Sequence, residues 1–501
     1  MTTAARKDHA SVVLVYPRTG YDFGFGLAPP HGLLALEAYL RSRGVPNPVV
    51  VVDTRIGRDW ERRLLAELRA RPLLVGISSM TGVQLKHALA VARLVRACAP
   101  GTPVVFGGVH VSLLPEQTLA HPAIDMGIVG DGEVPLHALV AALEAGSPSA
   151  IAGVPGLVHK VTGPVVVNPR PPPLDLATLP LDRFEGVDVE RYVFKRAGLH
   201  SRRELDLGET SRGCSRRCGY CYNTAFHGGR WRGLGAAATI GMIRHHVDRY
   251  RLESVWLRDD NFFVDVDRAA QVIEDVARRG IGLYLPGITV QEFRRLAPET
   301  LRTLGGMKGA LLRFGVESGS DAVLRRIGKG IRADEILAVN RECARHGITP
   351  SYNFMVGFPG ERPDDVLATV DLIKRLKREN PSAELNAVNL YTPYPGTPLF
   401  ERYRAEHPEW VPASVEQWTT WHHLNVRRGP LSRRERRRYE NVATISYLVS
   451  DTLARSLGAP LRGLYAPVRA WFAARWRLNA FAVAPEVLLV RWLKRALLSI
   501  E

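Results

Sequence analysis

The chain has 501 residues, enough for two or three domains that each bury a core, and its 46% apolar and 23% charged residues are ordinary for a globular protein. Five cysteines, three of them close together, do not form a disulfide framework and suit a reducing compartment with a metal or catalytic role. The N-terminus has no apolar run of signal-peptide length, and no stretch of 18 residues is uniformly apolar. We therefore expect a cytoplasmic protein without a spanning helix.

The net charge of +17 is distributed unevenly along the chain. Residues 425–501 hold 15 Lys and Arg against 5 Asp and Glu, a balance of +10. More than half of the excess positive charge therefore lies in the last 77 residues.

Short β-branched runs alternate with helical stretches over residues 10–150, which predicts βαβ units in an N-terminal, doubly wound (Rossmann-like) α/β domain, residues 1–150. Strands are expected at 11–17, 47–54, 72–79, 102–108 and 124–130. Ligands of such sheets bind beyond the carboxyl ends of the strands, where this chain has loops rich in Gly, Ser and Asp. These loops indicate a ligand site, although Gly and Asp are also common in ordinary βα turns. The candidate residues are Asp53, Arg55, Ser78, Ser79, Thr81, Gly107, Gly108, Gly130, Asp131 and Glu133.

Residues 151–203 are predicted to be a connector, because their proline-rich sequence cannot hold a long helix or a central strand. A second alternating series over 204–400 predicts a partial (β/α)6 barrel of the TIM type, whose chemistry lies on the loops after the strands. Its strands are expected at 204–211, 254–261, 282–289, 309–318, 351–359 and 385–393. The β signal stops near residue 400, and 401–501 is predicted to be a helical region with basic and aromatic residues.

Three cysteines, Cys214, Cys218 and Cys221, follow the first strand of this second series in the spacing Cys-x3-Cys-x2-Cys. A structural zinc site needs four ligands, and His227 could complete a Cys3His set. The alternative is a [4Fe–4S] cluster in which three thiolates leave the fourth iron open to a small molecule. We favour the cluster, because chemistry requires an open iron and a closed site is inert.

With Tyr220 before the last cysteine, the motif resembles that of the radical S-adenosylmethionine (radical SAM) superfamily. The resemblance implies that the three cysteines bind a [4Fe–4S] cluster whose open iron chelates S-adenosylmethionine. One electron from the cluster then yields methionine and a 5′-deoxyadenosyl radical. It also implies that Glu317, next to Ser318, accepts hydrogen bonds from the ribose of the cofactor.

Two further loops of the predicted barrel are candidates for the same site. Gly357 and Gly360 would let the backbone approach the cofactor. Asp259, Asp260 and Asn261 end the second strand, where they either serve the site or cap a helix. Tyr391, Tyr394 and Pro395 end the last strand, where they either line a pocket or turn the chain.

A doubly wound domain followed by this barrel resembles, over residues 10–400, the cobalamin-dependent radical SAM enzymes, which implies cobalamin as a further cofactor. Methylthiotransferases share the layout but need three cysteines in the first domain, where this chain has only Cys98. The run Asp53-Thr54-Arg55-Ile56-Gly57 departs from the family's Asp-x-His-x-x-Gly, since arginine cannot ligate a metal. We expect no histidine of this motif on cobalt. Arg55 would instead place a cation near the lower face of the cobalamin, which disfavours a sixth ligand and makes the cobalt easier to reduce. The same departure could instead mean that no cobalamin binds.

The resemblance implies a C-methyltransferase that acts on an unactivated carbon through a 5′-deoxyadenosyl radical and methylcobalamin. The alternative with the same cofactors is ring closure or oxidation without methyl transfer, as in the anaerobic protoporphyrin ester cyclases. A cobalamin carrier with a silent barrel and an RNA-modifying enzyme are weaker readings, since a carrier needs no open iron and no RNA-binding module is evident. The expected partners are a small molecule, for example a lipid-like or natural-product intermediate, and an electron donor such as a flavodoxin or ferredoxin. We expect no nucleic acid.

Aromatic and aliphatic residues alternate with arginines in the C-terminal region, as in a helix that lies in a membrane interface. The other reading is a helix packed on the barrel with its arginines in solvent. The first reading predicts peripheral contact with the inner membrane face and makes a membrane-partitioned substrate more plausible. The apolar residues of this stretch are Trp471, Phe472, Trp476, Leu478, Phe481, Leu488, Leu489, Trp492 and Leu497, and the basic ones are Arg469, Arg475, Arg477, Arg491, Lys494 and Arg495.

Overall fold

The computed structural model describes residues 9–20, 22, 27–161, 163–193, 203–307, 311–422, 432–456, 459–488 and 490. The chain forms two compact units, unit 1 with Met1–Phe194 and Val411–Trp421, and unit 2 with Lys195–Trp410 and His422–Glu501. Leu489 and residues 491–498, which the sequence assigns to an amphipathic tail, lie outside the described residues.

Unit 1 contains a seven-stranded sheet in the order β2-β1-β3-β4-β5-β6-β7. The first five strands are parallel, and the buried β-branched side chains of β1 show why this sheet has helices on both faces. The predicted doubly wound domain is confirmed. The strands are β1 (Val12–Tyr16), β2 (Val49–Asp53), β3 (Leu74–Ser78), β4 (Val104–Gly107), β5 (Met126–Ile128), β6 (Leu157–His159) and β7 (Val166–Val167), and the helices are α1 (His31–Ser42), α2 (Trp60–Arg69), α3 (Val83–Cys98), α4 (Val109–Leu113), α5 (Pro115–Leu119), α6 (Glu133–Glu144) and α7 (Pro148–Ala152).

Residues 151–203 were predicted to be a connector, but their first part forms strands. β6 and β7 form an antiparallel hairpin that extends the sheet of unit 1 beyond β5 by two strands. Proline cannot enter a central strand, but this hairpin ends before the proline-rich run, so the restriction does not reach it. Beyond β7, the described residues up to 193 contain only short 3-10 turns.

The segment Val411–Trp421 belongs to unit 1, although it follows the barrel in sequence. Trp418 and Trp421 are both buried. The Trp418 carbonyl accepts from the Gly82 amide at 3.1 Å, and its indole Nε1 donates to Gln117 Oε1 at 2.6 Å. The predicted C-terminal region, 401–501, is thus divided between the two units.

Unit 2 contains a six-stranded sheet in the order β15-β14-β13-β12-β11-β8, with every pair parallel. This is the arrangement of the predicted partial barrel, which is confirmed. A separate antiparallel pair, β9 and β10, carries the cysteine loop. The strands are β8 (Glu204–Asp206), β9 (Ser211–Gly213), β10 (Trp231–Gly233), β11 (Ser254–Trp256), β12 (Gly282–Ile288), β13 (Leu311–Glu317), β14 (Thr349–Val356) and β15 (Glu384–Leu390).

The helices of unit 2 follow the strands as the sequence predicts and continue beyond the barrel. α17 lies along β15, where its Ser446 hydroxyl accepts from the Val388 amide at 2.8 Å. Among the described residues, no helix has the length and apolar character needed to span a membrane. The helices are α8 (Tyr222–Phe226), α9 (Ala236–Tyr250), α10 (Val266–Arg278), α11 (Val290–Phe293), α12 (Pro298–Gly306), α13 (Asp321–Arg326), α14 (Ala333–His346), α15 (Pro363–Glu379), α16 (Pro398–Glu406), α17 (Arg433–Val449), α18 (Asp451–Ser456) and α19 (Ala459–Arg477).

Candidate active site

The cysteine loop of unit 2 begins at a glycine that no other residue could replace without strain. Gly213 has φ +86°, and a Cβ added to it would lie 2.1 Å from the Arg230 carbonyl oxygen on the paired strand. Its amide donates to Asp260 Oδ2 at 2.9 Å. The backbone is therefore fixed at the residue that precedes Cys214.

The three cysteines lie in a partly buried loop, with Cys218 buried and Cys214 and Cys221 half-buried. Cys214 Sγ accepts from the Arg216 amide at 3.4 Å and from Asn261 Nδ2 at 3.5 Å. Burial raises the pKa of the Cys214 thiol, and it raises the pKa of Cys221 to about 11. The metal-free thiols of Cys214 and Cys221 are therefore protonated at neutral pH, and iron must displace these protons when it binds.

The site fits a cluster better than a single zinc ion. A structural zinc ion needs four ligands at the corners of one tetrahedron. His227, the proposed fourth zinc ligand, has its Nε2 atom 3.7 Å from Asp260 Oδ2. In a [4Fe–4S] cluster each thiolate binds a different iron, so three neighbouring thiols suit it.

The strand predicted at 254–261 ends at Trp256, and the acidic residues and Asn261 that follow it support the cysteine loop and do not cap a helix. Buried Asp259 accepts from the Thr210 hydroxyl at 2.8 Å and also from the Ser211 hydroxyl. Asp260 accepts a hydrogen bond at 2.7 Å from the hydroxyl of Tyr222, the residue that follows the last cysteine. Asn261 joins the first cysteine to the carboxylate of Glu292, to which it donates at 2.8 Å. These three side chains hold the loop to the barrel.

Glu317 ends β13 in the left-handed region, with φ +69°, which is strained for a residue other than glycine. Its Oε1 atom accepts from the Tyr220 hydroxyl at 2.8 Å and from Lys329 Nζ at 3.2 Å, and Lys329 Nζ also donates to the Tyr220 hydroxyl at 3.0 Å. Burial lowers the pKa of Lys329, but the attraction of Glu317 outweighs it and raises the pKa. The proposed ribose ligand is thus tied to the cysteine loop through a buried cation.

The other two candidates near β13 and β14 have different surroundings. The Ser318 hydroxyl is buried. It lies 3.1 Å from Thr369 Oγ1 and accepts a hydrogen bond from the Ser320 amide, so it holds the loop after β13 in place. Gly357 has φ +88°, and its amide donates to Glu361, whose carboxylate also accepts from the Phe358 amide. Burial raises the pKa of Glu361 to about 8.

In unit 1, the loops after β3 and β4 contact each other through backbone atoms. Ser78 pairs with Gly107 in the sheet, and Ser79 donates to the Gly107 carbonyl from both its amide, at 2.8 Å, and its hydroxyl, at 2.9 Å. Gly108 has φ +96°, and a Cβ there would lie 2.8 Å from the Ser79 carbonyl oxygen. A Cβ on Gly107 would meet no atom within 4 Å. The backbone at Gly107 is therefore open to a ligand.

The remaining candidates of these loops are held by hydrogen bonds. The Thr81 hydroxyl lies 2.9 Å from His110 Nδ1, and burial lowers the pKa of His110 to about 3, so the ring is neutral. The Gly130 amide donates to the Ser112 hydroxyl at 3.0 Å.

The next two candidates lie just beyond Gly130. Burial lowers the pKa of Arg170, and the negative charge of Asp131 opposes this effect. Glu133 is buried at the first turn of α6, where the helix dipole favours a carboxylate.

Asp53 ends β2 and Arg55 follows it, one strand away from the crevice between β1 and β3 where the strand order reverses. The Arg55 guanidinium is buried, donates to Asp53 at 2.7 and 2.9 Å, and lies 4.3 Å from the centre of the Tyr16 ring. Tyr192 donates to Asp53 at 2.9 Å. The arginine charge is therefore compensated by Asp53 and does not act as a lone cation.

Several residues that support the site were missed by the sequence analysis. Lys329 stands between two glycines, a pattern that could have marked it as a residue in a tight turn near the cofactor. Glu361 follows directly after the Gly357–Gly360 stretch. Nothing in the sequence around Glu292 indicates its hydrogen bond to Asn261.

Comparison with known proteins places these two sites in a known context. The family model of the radical SAM superfamily matches residues 209–373, and that of the B12 binding domain matches residues 25–140. An uncharacterized methyltransferase of Pyrococcus horikoshii is 28% identical over 74% of this chain and 78% of its own. The two matched ranges contain all three cysteines and the open backbone at Gly107.

Two solved structures share the fold. The cobalamin-dependent S-adenosylmethionine radical enzyme OxsB is similar over 98% of this chain and 76% of its own, with a TM-score of 0.73 and 16% identity. The radical S-adenosylmethionine methyltransferase TsrM from Kitasatospora setae is similar over 79% of this chain and 76% of its own, with a TM-score of 0.64 and 20% identity.

Proposed function

This chain carries the B12-binding and radical SAM domains of the cobalamin-dependent radical SAM enzymes, and we propose that it transfers a methyl group to an unactivated carbon of a small molecule. The observation that carries the proposal is the loop of three neighbouring thiols, linked by Tyr220 to the carboxylate of Glu317. A carrier of cobalamin needs neither.

The predicted cofactors, a [4Fe–4S] cluster, S-adenosylmethionine and cobalamin, are confirmed by the two family models. Cys214, Cys218 and Cys221 would hold the cluster, and the loops after β3, β4 and β5 would hold cobalamin. When bound, the cluster supplies an electron, S-adenosylmethionine supplies radical and methyl group, and cobalamin carries the methyl group.

The residues of unit 2 position the cofactor and exclude water. Glu317 presents a carboxylate to a ribose, Lys329 donates a hydrogen bond to it, and Tyr220 fixes its direction from the cysteine loop. Phe358 packs against Tyr220 and Tyr391, with ring centres 5.8 and 5.0 Å apart, and forms an apolar wall beside them. Positioning and exclusion of water are what the protein must supply for a radical reaction.

Product mass analysis distinguishes methyl transfer from ring closure or oxidation without methyl transfer. The reconstituted enzyme would be supplied anaerobically with reductant, S-adenosylmethionine, methylcobalamin and candidate substrates. We expect a product that gains one methyl group and, with methyl-labelled S-adenosylmethionine, carries the label. Loss of two hydrogens without a methyl group would instead establish an oxidative cyclase. A chain that binds cobalamin but never releases 5′-deoxyadenosine would be a carrier.

We also propose that the C-terminal region contacts an anionic membrane surface. α19 buries Phe472 and Trp476 in unit 2, so one face of this helix packs against the rest of the unit. A second face, with Leu464, Val468 and Trp471 at helical spacing, is exposed, and the side chains of Leu464 and Trp471 are 76% and 58% exposed. Packing on the barrel does not explain this apolar face, and residues 425–501 carry a charge of +10.

Sedimentation with vesicles tests this contact. We expect binding to anionic vesicles at low salt, with each basic residue near the surface contributing about 1 kcal/mol, and release at high salt. The variant Leu464→Gln/Trp471→Gln should bind much more weakly. The control, Leu181→Gln in unit 1, removes a leucine that is 45% exposed and should bind as the unchanged chain does. Equal binding by all three proteins, or no binding at low salt, would rule the contact out.

A further inference from the structure

The surface around the cysteine loop has an unusual charge distribution. Residues 212–233 contain five arginines and no aspartate or glutamate. Residues 322–332 contain three arginines and one lysine, again without a carboxylate. Elsewhere on the barrel, exposed arginines commonly have acidic partners, as Arg294 has Glu335 at 2.6 Å and Arg341 has Glu379 at 2.9 Å.

These two segments contact each other in the fold. The Gly219 amide, inside the cysteine loop, donates to the Ile327 carbonyl at 2.8 Å. A Cβ placed on Gly328 would lie 3.5 Å from the Arg217 carbonyl oxygen, and one placed on Gly229 would lie 3.1 Å from Arg217 Nε. The two acid-free segments therefore form one continuous surface, which we call the basic collar.

Three arginines of the basic collar are exposed and unpaired. Arg217, Arg230 and Arg325 have exposed side chains, and none of them has an ion-pair partner among the residues that the structure describes. Ser215, which directly follows the half-buried Cys214, is also exposed. Arg212, Arg216 and Arg332 of the collar have acidic partners outside the two segments. The cluster loop is thus flanked by three exposed arginines whose charge is not compensated.

We propose that the basic collar is the docking surface for a small acidic one-electron carrier protein. The inference rests on the proposed cluster, which must gain one electron per turnover from outside the chain while the carrier loses one. Charge complementarity argues for this occupant, because unpaired cations around a redox site attract an acidic partner and accelerate its encounter. The cysteine loop would then be the nearest part of the chain to the docked carrier.

The test is anaerobic stopped-flow reduction of the reconstituted cluster by a reduced flavodoxin, followed by cluster absorbance at several ionic strengths. Arg230→Glu/Arg325→Glu should lower the second-order rate constant about tenfold or more at low salt, and the difference should shrink as salt rises. Neither residue touches the cysteines or Glu317. The control Arg58→Glu/Arg69→Glu makes the same charge change at exposed arginines around α2.

Titanium(III) citrate, a small reductant that needs no docking surface, should reduce the cluster of all three proteins at the same rate. Three results would overturn the proposal: an unchanged flavodoxin rate in the collar variant, an equal loss in the control variant, or an equal loss with titanium(III). The measurement precedes any substrate chemistry, so its failure is distinct from a failure of methyl transfer. Lack of a cluster in the unchanged chain would instead contradict the proposed function itself.

Discussion

Alanine at Cys214, Cys218 or Cys221 will abolish formation of 5′-deoxyadenosine. The unchanged chain should hold about four irons after anaerobic reconstitution, and each variant should lose most of them, because two thiolates cannot retain a cluster that is held by three. Iron content, cluster absorbance and chromatography of the nucleoside products measure the effect. The expected loss is complete, since no other cysteine lies in this loop.

The remaining two cysteines provide the controls for this experiment. Cys98 is exposed at the end of α3, and Cys343 is buried in α14. Cys98→Ala and Cys343→Ala should retain the iron and the activity, although the second variant can be less stable because it leaves a small cavity. Full activity in any variant of the three clustered cysteines would refute their assignment as cluster ligands.

Replacement of Lys329 by methionine will destabilise the chain by about 3–5 kcal/mol, because it leaves the Glu317 carboxylate buried without its cation. The two side chains are each 8% exposed and 3.2 Å apart. The variant should also bind S-adenosylmethionine more weakly, since the Glu317 carboxylate loses one of the two donors that hold it in place. Urea unfolding of the cluster-free chain and equilibrium dialysis after reconstitution measure the two effects.

A second lysine–carboxylate pair in the same unit serves as the control. Lys377 Nζ lies 3.1 Å from Asp451 Oδ2, but these side chains are 42% and 25% exposed. Lys377→Met should therefore cost at most about 1 kcal/mol. The double variant Lys329→Met/Glu317→Gln should recover much of the stability but not the affinity for S-adenosylmethionine. If Lys329→Met cost no more than Lys377→Met, the role of the buried pair would be wrong.

The strands and the cysteine loop could be predicted because their signals are local. β1 to β5 are continuous β-branched runs whose length and spacing indicate buried parallel strands, and each lies within its predicted range. The cysteine spacing marks its loop without any tertiary information. Such patterns depend only on residues close together in the chain.

The interactions that were missed join residues that are distant in sequence. Lys329 meets Tyr220 across 109 positions, and the direction of the Ser318 hydroxyl depends on Thr369 in another helix. Arg55 was expected to act as a cation towards cobalt, but its pairing with Asp53 and its contact with Tyr16 depend on how β1 and β2 lie together. No periodicity or motif encodes these contacts.

The return of Val411–Trp421 to unit 1 means that neither half of this protein is a contiguous piece of sequence. A fragment that stops at residue 194 would lack the backbone partner of Gly82 and would uncover the sites where Trp418 and Trp421 are buried. Loss of one buried tryptophan side chain typically costs about 3–5 kcal/mol, a large share of a domain's stability. Any gene fusion, domain exchange or split of this enzyme therefore has to keep the segment Val411–Trp421 together with unit 1. A cut at the proline-rich linker separates the two.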